Sequence, residues 1–172
     1  MKYIPCFLLA ILCTLSTTIN ASDSGYGQAT VGFFNEEHGR HSGLQISILG
    51  HIQDQDFLAG RISGVLMSER NTPLEVISYQ GFSLTGFIHP NFPHINPYFG
   101  IGVFAGETYN CNELDVDGNC IEDVMLALFP EIGVGFTFGN FHFFPFVRRY
   151  YDSNLHAQIN NAYGLNISFI FE

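Results

Sequence analysis

The sequence predicts an all-β fold, eight antiparallel strands closed into an up-and-down transmembrane β-barrel. Three observations point there. Segments of about ten residues with apolar side chains at every second position recur along the chain, separated by polar turns. The composition is rich in Phe (18), Tyr (8) and Gly (18), with six Lys and Arg together. Beyond the N-terminal segment no apolar run approaches the roughly 20 residues of a spanning helix. A membrane-borne form of this chain must therefore be a closed barrel, in which every backbone polar group is bonded to a neighbouring strand.

The N-terminus is expected to be removed. Met1-Lys2 is basic, Ile4 to Leu15 is mostly apolar, and Thr17 to Ala21 ends in a small residue before polar Ser22-Asp23. That is the three-part layout of a secretory signal peptide over 1–21, too short to span a bilayer, with a barrel domain over 22–172. A lipoprotein signal does not fit, because Leu12 precedes Cys13 where a small residue is required. Loss of Lys2 takes the net charge from −10 to −11. Such a surface repels nucleic acid and offers no polybasic attachment to anionic lipid.

Eight strands are expected in order. Tyr26–Asn35 sets Ala29, Val31 and Phe33 against Gln28 and Thr30. Leu44–Ile52 sets Leu44, Ile46 and Ile48 against Gln45 and Ser47. Phe57–Ser68 places Leu58, Ile62 and Leu66 opposite Arg61 and Ser63. Leu74–Ile88 changes phase near Gln80-Gly81, which predicts a bulge there. Pro97–Glu107 places Phe99, Ile101, Val103 and Ala105 opposite Gly100, Gly102 and Gly106. Val124–Phe138, Phe141–Tyr151 and Ala162–Phe171 complete the set. A soluble barrel or sandwich would turn the apolar face inward. Here the polar face is rich in Gly, Ser, Thr, Gln and Asn, a poor dry core, and aromatics mark the strand ends as an interfacial girdle does. Both features favour the membrane. With both termini in the periplasm, the even-numbered connections are periplasmic turns, and the fifth, Thr108–Asp123, is the longest outer loop.

That loop holds Cys111 and Cys120, the cysteines that remain after processing. In a chain that has crossed an oxidising compartment they are expected as a disulfide, which would stabilise by about 2–3 kcal/mol in the chain-entropy picture. A two-thiolate metal site lacks a nearby His. Asp115, Asp117 and Asn119 alternate like the first ligands of a calcium loop. Aligning Gly118 with the glycine of such a loop, however, puts Val124 where the bidentate Glu belongs, and a solvated acidic loop accounts for the same residues. The seven His residues show no metal spacing, and no cofactor is expected.

Phe138-Gly139-Asn140-Phe141 reads as a two-residue hairpin with Gly first, as a type II′ turn prefers. That register opposes Phe138 to Phe141, Phe136 to Phe143 and Ile132 to Val147 on the lipid face. On the other face it opposes Thr137 to His142 and Glu131 to Arg148. Pro145 falls opposite Val134, where a donor is missing. A charge at the bilayer midplane costs several kcal/mol on the lipid side. Glu131 and Arg148 are therefore expected as an ion pair inside the barrel, in a structural role.

The last stretch alternates most plainly: Tyr163, Leu165, Ile167, Phe169 and Phe171 share one face, with Gly164, Asn166 and Ser168 on the other. It resembles the closing strand of small eight-stranded outer-membrane β-barrels of Gram-negative bacteria. The match departs at Glu172, since that family usually ends on the aromatic. The resemblance implies that the barrel-assembly machinery reads this strand as its signal. It also implies a monomer located in the cell outer membrane, among its lipid and lipopolysaccharide. The implied role is structural or surface-interacting. Two alternatives stand beside it, a lipid A-modifying enzyme and a narrow channel. Lipid A deacylases in this family carry a His two residues before a Ser, followed by Asn. In Tyr151-Asp152-Ser153-Asn154 the Ser and Asn are present but Tyr151 replaces the His, so the Ser has no base to activate it.

Overall fold

A computed structural model describes residues 28–36, 41–52, 55–72, 75–90, 92, 95–114, 117–138, 141–152 and 161–169. The expected signal peptide, Gly139-Asn140, Asp115, Ser153 and the terminal residues Phe171-Glu172 lie outside these. The strands are β1 (Gln28–Glu36), β2 (His41–Ile52), β3 (Gln55–Thr72), β4 (Glu75–Ile88), β5 (Ile95–Leu114), β6 (Cys120–Phe138), β7 (Phe141–Arg149), β8 (Tyr151–Asp152) and β9 (Asn161–Phe169). Every pairing is antiparallel between chain neighbours, and β1 pairs with β9, which closes the sheet. Strands β7 and β8 both pair with β6 and make one barrel strand interrupted at Tyr150. The result is a closed eight-stranded up-and-down barrel.

The pleat decides which residues face out. Val31, Phe33, Leu44, Ile62, Phe82, Leu84, Phe99, Ile101, Leu126, Leu128 and Ile132 are all exposed. Along β6 the outward apolar positions run from Val124 to Phe138, with Leu126 to Phe136 between these two most exposed ends. The ten steps from Leu126 to Phe136, at about 3.3 Å each on a strand tilted by about 40°, cover roughly 25 Å of barrel height, the height of a lipid-facing band. At the end carrying Gln28 and Phe169, exposed Phe57, Phe92, Phe138 and Phe141 ring the barrel, and exposed Tyr151 and Tyr163 lie towards the other end. So continuous an apolar belt is stable only in a membrane.

The hairpin register on β6 and β7 is the one expected: Phe138↔Phe141, Thr137↔His142, Phe136↔Phe143, Ile132↔Val147 and Glu131↔Arg148. It carries on without a shift past Tyr150, to Leu128↔Tyr151 and Ala127↔Asp152. The ladder skips the positions between Gly133↔Phe146 and Phe136↔Phe143, where Pro145 has no N–H to give.

Three expectations need correction. There is no bulge at Gln80-Gly81: the ladders to β3 and β5 run through both residues unshifted. The apparent phase change has another cause. Positions 78 and 80 point outward like Phe82 and Leu84, but they lie beyond the apolar band, where an outward side chain is polar. The fifth connection is also not a loop of sixteen residues. Strands β5 and β6 continue as a paired hairpin to Leu114 and Cys120. The third correction concerns the interior: the expected Thr30, Gln45, Ser47, Ser63, Asn166 and Ser168 are buried in it, but they share it with large rings, Phe34, Phe87, Tyr98, Phe104, Phe129, Phe146 and Tyr150.

Those rings fit because glycines face them from neighbouring strands. Gly102 backs onto the Phe129 ring, Gly43 onto Phe34 and Gly164 onto Phe146. A Cβ at any of the three would overlap the ring it covers. Overpacking of this kind costs about 1–3 kcal/mol. Gly102→Val should lower the urea unfolding midpoint of the refolded protein, whereas Ile101→Val, one residue away on the lipid face, should barely move it. Equal effects would show that the interior is not packed ring against glycine.

Candidate functional site: a charged cluster in the lumen

Alternation on β6 and β7 aims Glu131 and Arg148 into the barrel, and both are 1 % exposed. Arg148 donates from Nε (2.9 Å) and Nη2 (2.5 Å) to Oε2 of Glu131. Arg61, inward on β3, donates from Nη2 to the same oxygen at 2.7 Å. Tyr98 OH donates to Oε1 at 3.1 Å. Arg148 Nη1 reaches Gln45 Oε1 (3.1 Å) and Tyr150 OH (2.8 Å). Gln45 Nε2 in turn donates to Asn166 Oδ1 at 2.5 Å. Five strands thus meet at one carboxylate and two guanidinium groups, and Asn166 joins a sixth through Gln45.

Aromatic faces close the cluster off. The Arg148 guanidinium lies 4.5 Å from the Phe146 ring centre, 4.7 Å from Phe129 and 5.3 Å from Phe34. Arg61 lies 4.7 Å from Phe87. Cation–π attraction strengthens as water is removed, to about 2 kcal/mol for a desolvated pair. The same side chains fill the lumen: Arg148, Phe104, Phe129, Gln45 and Glu131 are among the largest fully buried ones. Among the described residues these side chains occupy the lumen at the height of the cluster.

The expected pair is therefore a triad. Arg61 was legible as an inward charge on β3. Its partner was not, because residues 61 and 131 meet across the lumen rather than along a ladder. Tyr98, Tyr150, Gln45 and Asn166 also escaped the sequence reading, which gives a residue's face but not its height relative to distant strands.

A second cluster lies beyond the band at the other end. His41 Nδ1 is 2.6 Å from Glu36 Oε2, and its Nε2 is 3.3 Å from Glu69 Oε2. Tyr79 OH also donates to Glu69 Oε2, at 2.5 Å. The imidazole bridges two buried carboxylates.

The remaining expected residues are spread around the molecule. Cys111 and Cys120 are joined in a disulfide, at the point where the β5–β6 ladder shifts register between Asn110 and Leu114. Asp117 and Asn119 are exposed beside it, and Asp115 lies outside the described residues. Among the described residues no three His, Cys, Asp or Glu side chains converge on a point that would hold a metal ion. Tyr163 is exposed on the lipid face, with Leu165 and Ile167 half-buried on the same face. The backbone of Phe169 closes β9 against Phe141.

If the triad is a unit, its members are not equivalent. Glu131→Gln leaves two buried cations without a carboxylate and should cost about 3–5 kcal/mol, the penalty for a broken buried ion pair. Arg148→Met leaves a neutral Arg61–Glu131 pair and should cost clearly less. Urea unfolding in lipid vesicles measures both, and a larger loss for Arg148→Met would contradict the shared-carboxylate geometry.

No protein-family model matches the sequence, and no curated protein matches it. Solved structures do match. Neisserial surface protein A superposes with a TM-score of 0.57 at 12 % identity, over 86 % of this chain and 96 % of that one. The N-terminal β-barrel domain of Pseudomonas aeruginosa OprF gives 0.58 at 14 % identity, over 86 % and 98 %. Ail, the attachment invasion locus protein of Yersinia pestis, gives 0.54 at 13 % identity, over 87 % and 100 %. The chain has the fold of the small eight-stranded outer-membrane β-barrels.

Proposed function

We propose that this protein is a surface-interaction barrel of the outer membrane, and that the β5–β6 hairpin is its working surface. The observation that carries the reading is the reach of that hairpin. Past the last apolar outward position, Ala105, β5 continues from Glu107 to Leu114, which adds roughly 18 Å of tilted strand beyond the lipid band. The Cys111–Cys120 disulfide holds its end. Exposed Glu107, Asp117, Glu122 and Asp123 make it acidic. A rigid, charged projection on a plugged barrel suits contact with other molecules better than transport. The same fold carries a surface protein in Neisseria and an attachment protein in Yersinia pestis.

The channel reading has the filled lumen against it. The enzyme reading has Tyr151 against it, whose exposed ring stands where the motif needs a His. Lipid A from cells with and without the protein should give the same mass spectrum.

The proposal needs the hairpin outside the cell. An epitope inserted after Gly118 should be stained on intact cells. Replacing residues 109–122 by a two-residue turn should leave a heat-modifiable barrel but reduce adherence of expressing cells to surfaces or other cells. Staining only after permeabilisation, or adherence unchanged by the deletion, would overturn the assignment.

A further inference from the structure

A cavity of about 110 Å³ lies inside the barrel below the triad, at the end carrying the strand termini. Its walls are of two kinds. Phe87 and Phe144, with Leu49 and Ala59, give an apolar surface. Arg61, Asn166 and Thr30 also line it, and each is at least 97 % buried: 3 %, 1 % and 2 % exposed respectively. Among the described residues Arg61 Nε, Asn166 Nδ2 and Thr30 Oγ1 have no hydrogen-bond partner. Buried donors of this kind cost free energy unless something accepts from them.

The charge count points the same way. The triad holds two guanidinium groups and one carboxylate, a net charge of +1 at membrane depth. Glu131 accepts from Arg61 through Nη2, and the Arg61 Nε–H has no acceptor among the described residues. Among the described residues that line the cavity there is no Asp or Glu, and His142 stands beside them. A low-dielectric interior with an uncompensated cation favours an anion, and a charge-assisted bond to it is roughly twice as strong as a neutral one. The apolar wall excludes a fully hydrated ion as the best occupant. The volume approaches that of a cavity that takes benzene, about 150 Å³.

We propose that this cavity binds a small amphipathic monocarboxylate, an aromatic or short aliphatic acid of benzoate size. Its carboxylate accepts from Arg61, with Asn166 and Thr30 as the neighbouring donors. Its apolar body lies against Phe87 and Phe144. The site is independent of the hairpin and of the surface role proposed for it.

The test uses the full mature barrel refolded in a zwitterionic detergent, since an anionic one would compete. Sodium benzoate, hexanoate, benzyl alcohol and inorganic phosphate are titrated separately, and binding is followed by amide NMR shifts. Benzoate should bind at least about tenfold more tightly than benzyl alcohol, the factor that one charge-assisted bond supplies. Its shifts should fall on residues around Arg61 and Phe144. Ala59→Leu, which fills the cavity from the inward position next to Arg61 on β3, should abolish binding while heat modifiability persists. Asn166→Ala is the second variant, should Ala59→Leu fail to fold, and should weaken benzoate but not benzyl alcohol. Equal affinity for benzoate and benzyl alcohol would reduce the site to an apolar void and overturn the proposal. So would phosphate binding as tightly as benzoate, an absence of benzoate shifts, or undiminished binding in Ala59→Leu.

Discussion

A charge inside a membrane-spanning barrel has to find its partner within the lumen, and the rest of this structure depends on how Glu131 meets that constraint. Burial of a single carboxylate would cost several kcal/mol. Here it accepts from two arginines and a tyrosine, so both oxygens are engaged. The strands that supply these groups cannot slide by one residue, because a one-residue slip would send Arg61 or Arg148 into lipid. Register, face assignment and the plugging of the lumen follow from the same contacts.

The aromatic rings around the cluster belong to that constraint too. A guanidinium is less strongly hydrated than an ammonium and stacks on aromatic faces. Arg148 uses Phe129 and Phe146 in this way, and Arg61 uses Phe87. Rings of this size fit into an eight-stranded barrel only where the facing residue lacks a side chain. The inward glycines are thus the counterpart of the rings, and both belong to a filled lumen. The two ends of the barrel differ, with the disulfide-closed hairpin at one and the small donor-lined cavity at the other.

Much of this was legible in the sequence. Period-two alternation assigned the faces of β1, β2, β3, β5 and β9, because one face meets lipid and the other does not. The Gly139-Asn140 pair between two phenylalanines fixed the β6–β7 register, and that placed Glu131 opposite Arg148. Less legible was anything that depends on strands that are not ladder partners. Arg61 joins the cluster from across the lumen, seventy residues away. The phase change at Gln80 looked like a bulge because alternation cannot tell a kinked strand from a straight one that leaves the lipid. The interior aromatics were hidden for a similar reason: an inward Phe reads as an exception until the glycine facing it is known.

The central claim is that the lumen is organised by a dry, doubly paired carboxylate. The most direct measurement is NMR of the arginine Nε–H groups in lipid nanodiscs. The account predicts an Arg148 Hε signal that exchanges slowly with water and shows contacts to the Phe129 and Phe146 rings. A signal that exchanges as fast as a free arginine, or that contacts lipid acyl chains instead of those rings, would contradict it.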